Sequence, residues 1–295
     1  MRLINVETLD FQEFSGASIP PYAILSHTWG KEEVTFQDWQ DPGRRIRKAS
    51  FAKIEGARRQ ARRNGFKWLW VDTNCIDKSS SAELSEAINS MFAWYQRAGI
   101  CYAYLEDIVT AGTEEGRLMN PLGSSRWFTR GWTLQELLAP QNVHFYDQNW
   151  KRIGSRNNAL VKQIEATTGI ESDYLIGKLT VKNASIAKKM CWVSRRITTR
   201  EEDMAYCMLG LFDINMPLLY GEGAKAFVRL QEEIIKVSTD HTLFLATINT
   251  TRLGQPFGSI SERFQILAAS STDDDTIASV WDKQAKSRSL DLSDD

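Results

Sequence analysis

Between residues 22 and 147 short apolar runs alternate with longer amphipathic stretches. Residues 22–26, 67–72, 100–105 and 143–146 are rich in β-branched and aromatic side chains and bounded by Gly, Pro or Asp, the pattern of buried strands. Within 81–98, Leu84, Ala87, Ile88, Met91, Phe92 and Tyr95 recur at helical spacing on one face, with Ser80 and Glu83 placed as a capping box. Residues 45–63 form a second helix with Phe51, Ile54, Ala57 and Ala61 inward, and 125–138 a third, stopped by Ala139-Pro140. Strand and helix in alternation predict an α/β fold, with right-handed crossovers and an open, mainly parallel sheet carrying helices on both faces.

From about 150 the pattern turns helical: 157–168, 184–196, 200–211 (opened by Thr198 and Glu201) and 224–237 read as an extension packed on the sheet. Residues 241–247 and 264–269 read as two further strands, and the chain from Ser270, poor in apolar residues, as disordered. The division expected is an α/β domain over 1–147, a C-terminal helical extension over 148–238, a short strand-like segment over 239–269 and a disordered tail over 270–295.

Composition narrows the function. With 42% hydrophobic and 25% charged residues the chain is of the globular kind, and a net charge of −1 does not mark a nucleic-acid partner. The one basic stretch, nine Lys/Arg between Arg44 and Arg63 against the single acid Glu55, reads as a solvated helix face. No run approaches the ~18 apolar residues that span a bilayer, and the N-terminal MRLINVETLDFQEF is polar where a signal peptide is apolar, so a cytoplasmic protein without a membrane partner is expected. Cys75, Cys101, Cys191 and Cys207 form no CxxC pair, and His27, Asp72 and Asp77 lack a diagnostic metal spacing, so neither disulfide scaffold nor metal is expected. No phosphate loop or dinucleotide fingerprint occurs, and no bound cofactor is expected.

Open α/β sheets bind ligands beyond the carboxyl ends of their strands. That rule selects Ser26-His27-Thr28-Trp29-Gly30, the loop 72–78 and Glu106-Asp107. Turn-making and capping by Asp72, Asn74 and Asp77, and core packing by Trp29, compete with a site role at each. In 125–138, Phe128, Trp132 and Glu136 fall at i, i+4 and i+8, which sets a carboxylate one turn from an indole. It stands in the expected last turn, where the helix dipole disfavours an acid and aromatic neighbours raise its pKa. Such a broken rule marks a functional site or a salt bridge to Arg130 or another base.

The residues 21–30, the block 70–78, 83–92 and the segment 126–140 together resemble the heterokaryon incompatibility (HET) domain of filamentous fungi, and 199–206 with 212–223 resemble the region that follows it. Membership implies an effector of programmed cell death and innate immunity, acting when genetically different cells fuse, often under an upstream receptor of NLR type. The family is distantly similar to TIR domains, which implies a flavodoxin-like sheet, self-association into oligomers and a helix-borne glutamate that cleaves the nicotinamide–ribose bond of NAD. The resemblance makes Glu136 catalytic, with Thr133 where TIR sequences commonly have cysteine, and NAD a substrate rather than a cofactor. It implies Ser26, His27, Trp29, Asp72, Cys75, Arg126, Arg130 and Trp132 as substrate-binding: Trp132 or Trp29 stacking on nicotinamide, Ser26 and His27 reaching ribose or amide, Arg126 or Arg130 holding diphosphate. Two alternatives stand beside it, a non-catalytic module that recruits death partners and a hydrolase built from Cys75 and His27.

Overall fold

The four apolar runs become the centre of a seven-stranded sheet. The computed structural model describes residues 1–110, 119–238, 240 and 242. Its strands are β1 (Arg2–Asn5), β2 (Phe11–Glu13), β3 (Ala23–His27), β4 (Trp68–Trp70), β5 (Ile100–Tyr104), β6 (Val143–Tyr146) and β7 (Arg152–Ser155), in the order β2-β1-β4-β3-β5-β6-β7. The centre β4-β3-β5-β6 is parallel, with Ala23 opposite both Leu69 and Ile100. The edge pairings through β1 and β7 are antiparallel. Taken in chain order, the parallel strands lie 2-1-3-4, the doubly wound pattern, and its direction reverses between β3 and β5. Ligand-binding crevices form at such reversals.

Three helices link the parallel strands: α1 (Phe51–Arg63), α2 (Ser81–Arg97) and α3 (Thr133–Leu138). Right-handed crossovers put α1 on one face and α2 and α3, which touch each other, on the other. The pleat of β3 then sends Ser26 toward α3 and His27 toward Lys53 of α1. At the start of α2 the Ser80 hydroxyl accepts the Glu83 N–H at 3.3 Å. The capping box is only half made, because the Glu83 carboxylate takes the Asp77 N–H (2.8 Å) and the Arg2 guanidinium (2.7 Å) instead.

Several expectations are corrected. Residues 2–13, for which the sequence pattern predicts no element, form two strands because Leu3 and Ile4 are buried against the sheet edge. β7 likewise has no counterpart among the expected strands. The helix expected over 45–63 begins at Phe51, since Asp41 caps a separate turn at Pro42–Arg45. Lys53 is not on a solvated face but buried.

The helix expected over 125–138 is broken into a 3₁₀ turn, Arg126–Thr129, and α3. The break has a backbone cause: the Gly131 N–H goes to the Ile197 carbonyl at 2.9 Å and the Ile197 N–H to the Thr129 carbonyl at 2.7 Å, in place of helical partners. A side chain at Gly131 would meet Thr198 at 2.6 Å, so the close approach also needs glycine. Phe128 therefore leaves the face expected of it and packs on Trp127 and Phe145. Glu136 sits in the first turn of α3, where the helix dipole favours an acid.

The chain divides into two compact units, Met1–Ala184 with Arg196–Thr239, and a second that takes in Ser185–Arg195 and the chain from Asp240 on. In the first, the expected extension appears as Val161–Thr168, Ser172–Leu175, Asp203–Tyr206, Leu209–Phe212 and Lys225–Val237. The helix expected to open at Thr198 begins at Asp203, because the Thr198 hydroxyl donates to the Arg200 carbonyl at 2.7 Å. In the second unit, the helix Ile186–Val193 receives Asp240 and Thr242 oxygens at its first N–H groups, 2.8 and 3.1 Å away. The strands expected at 241–247 and 264–269 and the tail lie outside the described residues, Thr242 apart. Among the described residues no helix is long and apolar enough to cross a membrane.

Candidate functional site

Beyond the carboxyl ends of β3 and β4 lies a cavity of about 350 Å³. Three acids line it, Asp72, Asp203 and Glu136, the last delivered by α3 and 7% exposed. Ser26, next to last in β3, supports that glutamate from below: the Ser26 hydroxyl donates to Glu136 Oε2 and accepts the Trp127 indole N–H at 2.7 Å. Burial raises the Glu136 carboxyl from 4.5 to about 8, with nearby Asp72 adding to the rise. Hydrogen bonds from Ser26 and Tyr95 and the charge of Arg196 oppose it. The proton is thus held to neutral pH and can be lost just above it.

One rim is built from the loops after β3 and β4. His27 Nε2 faces Asp72 Oδ1 at 3.0 Å, and the Trp29 indole N–H donates to Asp72 Oδ2 at 2.7 Å. Lys53 Nζ lies 2.9 Å from His27 Nδ1 and 2.6 Å from Glu33 Oε1. His27 Nδ1 also lies 3.1 Å from the Thr28 carbonyl oxygen, so both ring nitrogens are held in place by polar partners. Burial pushes Asp72 up but is outweighed by Lys78, His27 and Trp29, which hold it well below the usual carboxylate range.

The opposite rim comes from α3 and the region beyond it. Trp132 and Tyr220 both bond Asp203, Tyr220 Oη at 3.0 Å, and the Arg200 guanidinium lies 4.6 Å from the Tyr220 ring centroid. Arg130 lines the cavity and donates to Thr199 Oγ1 at 2.9 Å, not to Glu136. Ile88 and Met91 of α2 supply an apolar side. Flat rings, an ionisable acid and several fixed charges thus surround one space, a set suited to a flat charged ligand with hydroxyl groups.

Of the residues singled out in the sequence, His27, Trp29, Asp72, Arg130, Trp132 and Glu136 line the cavity together. Trp29 is 52% exposed, not core. Ser26 is buried beneath Glu136, so it orients the acid rather than lining the space. Arg126 points away to Glu106, with its N–H on Asp107 Oδ2 at 2.7 Å. Cys75 is buried with its Sγ accepting the Val71 N–H at 3.4 Å, and burial pushes its thiol up to about 12, unfit for a nucleophile. Asp77 makes a turn, accepting from Ser79 N and Gln37 Nε2 at 3.0 and 2.8 Å. Among the described residues no group of three or more His, Cys, Asp or Glu is placed to hold a metal. Sequence reasoning passed over Lys78, Arg200, Asp203 and Tyr220 as site residues. Lys78 lies within a selected loop, whereas the other three lie in the segments 199–206 and 212–223, which carry the family resemblance but were given no site role.

The fold and cavity define a doubly wound α/β protein with a ligand crevice beyond the carboxyl ends of β3 and β4, floored by a buried acid. A family model described as heterokaryon incompatibility protein (HET) matches residues 22–118, which span β3 to β5 and stop short of the Glu136 segment. The chain is also 48% identical over 231 residues to vegetative incompatibility protein HET-E-1 of Podospora anserina, an alignment that takes in 76% of this chain and 17% of that protein. The chain belongs to the heterokaryon incompatibility family. No solved structure matches it.

Proposed function

We propose that the chain is a cell-death effector of vegetative incompatibility that acts by cleaving the nicotinamide–ribose bond of NAD. The observation that carries this reading is the buried Glu136 carboxyl at the floor of a cavity walled by Trp29 and Trp132. In the reaction the bond between the ribose C1′ and the pyridinium nitrogen breaks, and neutral nicotinamide leaves with the electron pair. The positive charge left on the ribose as an oxocarbenium is then captured by water, which gives up a proton. Ionised Glu136 faces that charge and stabilises it. His27 and Asp72 orient ribose or amide, Arg130 holds diphosphate, and Trp29 or Trp132 stacks on nicotinamide. Because the chain corresponds to 17% of its relative, an upstream receptor of NLR type, self-association and a cytoplasmic site of action are parts of the same proposal, as is a division into effector domain and helical extension.

The direct test is nicotinamide release by the purified chain. Glu136→Gln is expected to lower it at least a hundredfold with the circular dichroism spectrum unchanged, and an equally active variant defeats the assignment. A second reading, a non-catalytic recruiting module, draws on Val228, Ile235 and Val237, exposed along one helix. It predicts that toxicity survives Glu136→Gln and is lost when those three are made polar.

A further inference from the structure

Trp29 is a large apolar ring left 52% exposed at the cavity. One face is covered by a charge: Lys78 Nζ lies 3.5 Å from the ring centroid. Its edge is fixed by the 2.7 Å hydrogen bond to Asp72, whose other oxygen meets His27. A cation within about 6 Å of an indole face is held by the ring quadrupole, and the Asp72 carboxylate adds attraction from the side. Ring, carboxylate and cavity make a cation receptor whose present occupant is the chain's own lysine. The occupant is exchangeable in kind, since a flexible four-carbon stem carries the ammonium and can swing without moving the loop backbone. That backbone is secured elsewhere, by the bonds of Asp77 to Ser79 and Gln37.

We propose that the face of Trp29, edged by Asp72, is a subsite for a flat organic cation, and that Lys78 is an internal competitor that occupies it until such a ring displaces the ammonium. The proposal rests on the NAD reading and sharpens it. The oxidised nicotinamide ring is flat and positively charged, whereas the reduced ring and released nicotinamide are neutral. The subsite therefore selects the oxidised dinucleotide, and the returning ammonium covers the indole once the ring has left as a neutral molecule.

Calorimetric titration with 1-methylnicotinamide, a permanent cation, and with nicotinamide, its neutral counterpart, tests this without turnover. Lys78→Met is expected to bind the cation about tenfold tighter than the parent and the neutral ring within twofold of it. Lys78→Gln repeats the measurement with a polar side chain, Lys78→Arg is expected to match the parent, and Trp29→Leu to lose the cation. Unchanged, weaker or absent cation binding in folded Lys78→Met and Lys78→Gln overturns the proposal, as does an equal gain for both rings. If NAD is not cleaved but this pattern holds, the catalytic reading fails and the subsite stands. Cleavage without the pattern sinks the subsite alone.

Discussion

Replacing Glu136 with glutamine removes a charge and almost nothing else, which isolates what the fold spends on keeping that carboxyl dry. The side chain is 7% exposed, and burial lifts its carboxyl from 4.5 to about 8. Below pH 4.5 the group is protonated in both folded and unfolded chains. Between 4.5 and about 8 only the unfolded chain gives up the proton, so the folded state binds more protons and loses stability as pH rises. At ~1.4 kcal/mol per pH unit, the penalty reaches on the order of 4 kcal/mol at pH 8 and above. The amide introduced by Glu136→Gln can still accept from Ser26 and carries no charge, so the variant escapes this loss. Urea denaturation of parent and Glu136→Gln at pH 5 and pH 8.5 reads the difference directly, because groups common to both cancel. The variant's advantage is expected to grow by roughly 3 kcal/mol or more between the two pH values. Parallel stability curves would refute the reasoning, since they mean that the carboxyl is not desolvated.

Ser26→Ala takes away the donor to Glu136 and the acceptor for the Trp127 indole N–H. It is expected to cost about 1–3 kcal/mol in denaturant melts and to move the pH limb of nicotinamide release upward, because the serine bond favours the ionised acid; an unmoved limb disproves the positioning role. Gly56→Ala would place a Cβ 1.9 Å from Trp150 Nε1. The resulting overpacking, about 1–3 kcal/mol, outweighs or cancels the gain of about 1 kcal/mol from helix propensity, so calorimetry should show no rise in Tm, and a higher Tm counts against the packing described. With its thiol held up to about 12, Cys75 should resist iodoacetamide at pH 7.5 in the folded protein, and Cys75→Ala should release nicotinamide at the parental rate. Loss of release in that variant would restore the hydrolase reading.

The central strands are legible because burial on both faces writes itself as unbroken apolar runs, and α2 because its inward residues keep helical spacing from Leu84 to Tyr95 within the helix Ser81–Arg97. What escaped was set by distant partners. β2 is three residues long with two of them exposed, so alternation had no length in which to show. The break before α3 comes from Ile197, far along the chain, and within 125–138 only Gly131 hints at it. Lys53 looked like one more basic residue on a wet helix; only the meeting with His27 and Glu33 explains its burial. Trp132 and Glu136 were paired by a spacing argument that assumed one continuous helix. They share the cavity all the same, because four residues still separate them across the first turn of α3.

The central claim is that Glu136 works as a carboxylate whose ionisation the fold postpones, and the pH dependence of kcat/KM for nicotinamide release by the unaltered chain tests it most directly, since that profile reports ionisations of the free protein. Release is predicted to climb tenfold per pH unit below neutrality and to level off near pH 8. A profile that is flat from pH 6 to 9, or that falls across this range, or no release at any pH, contradicts the account.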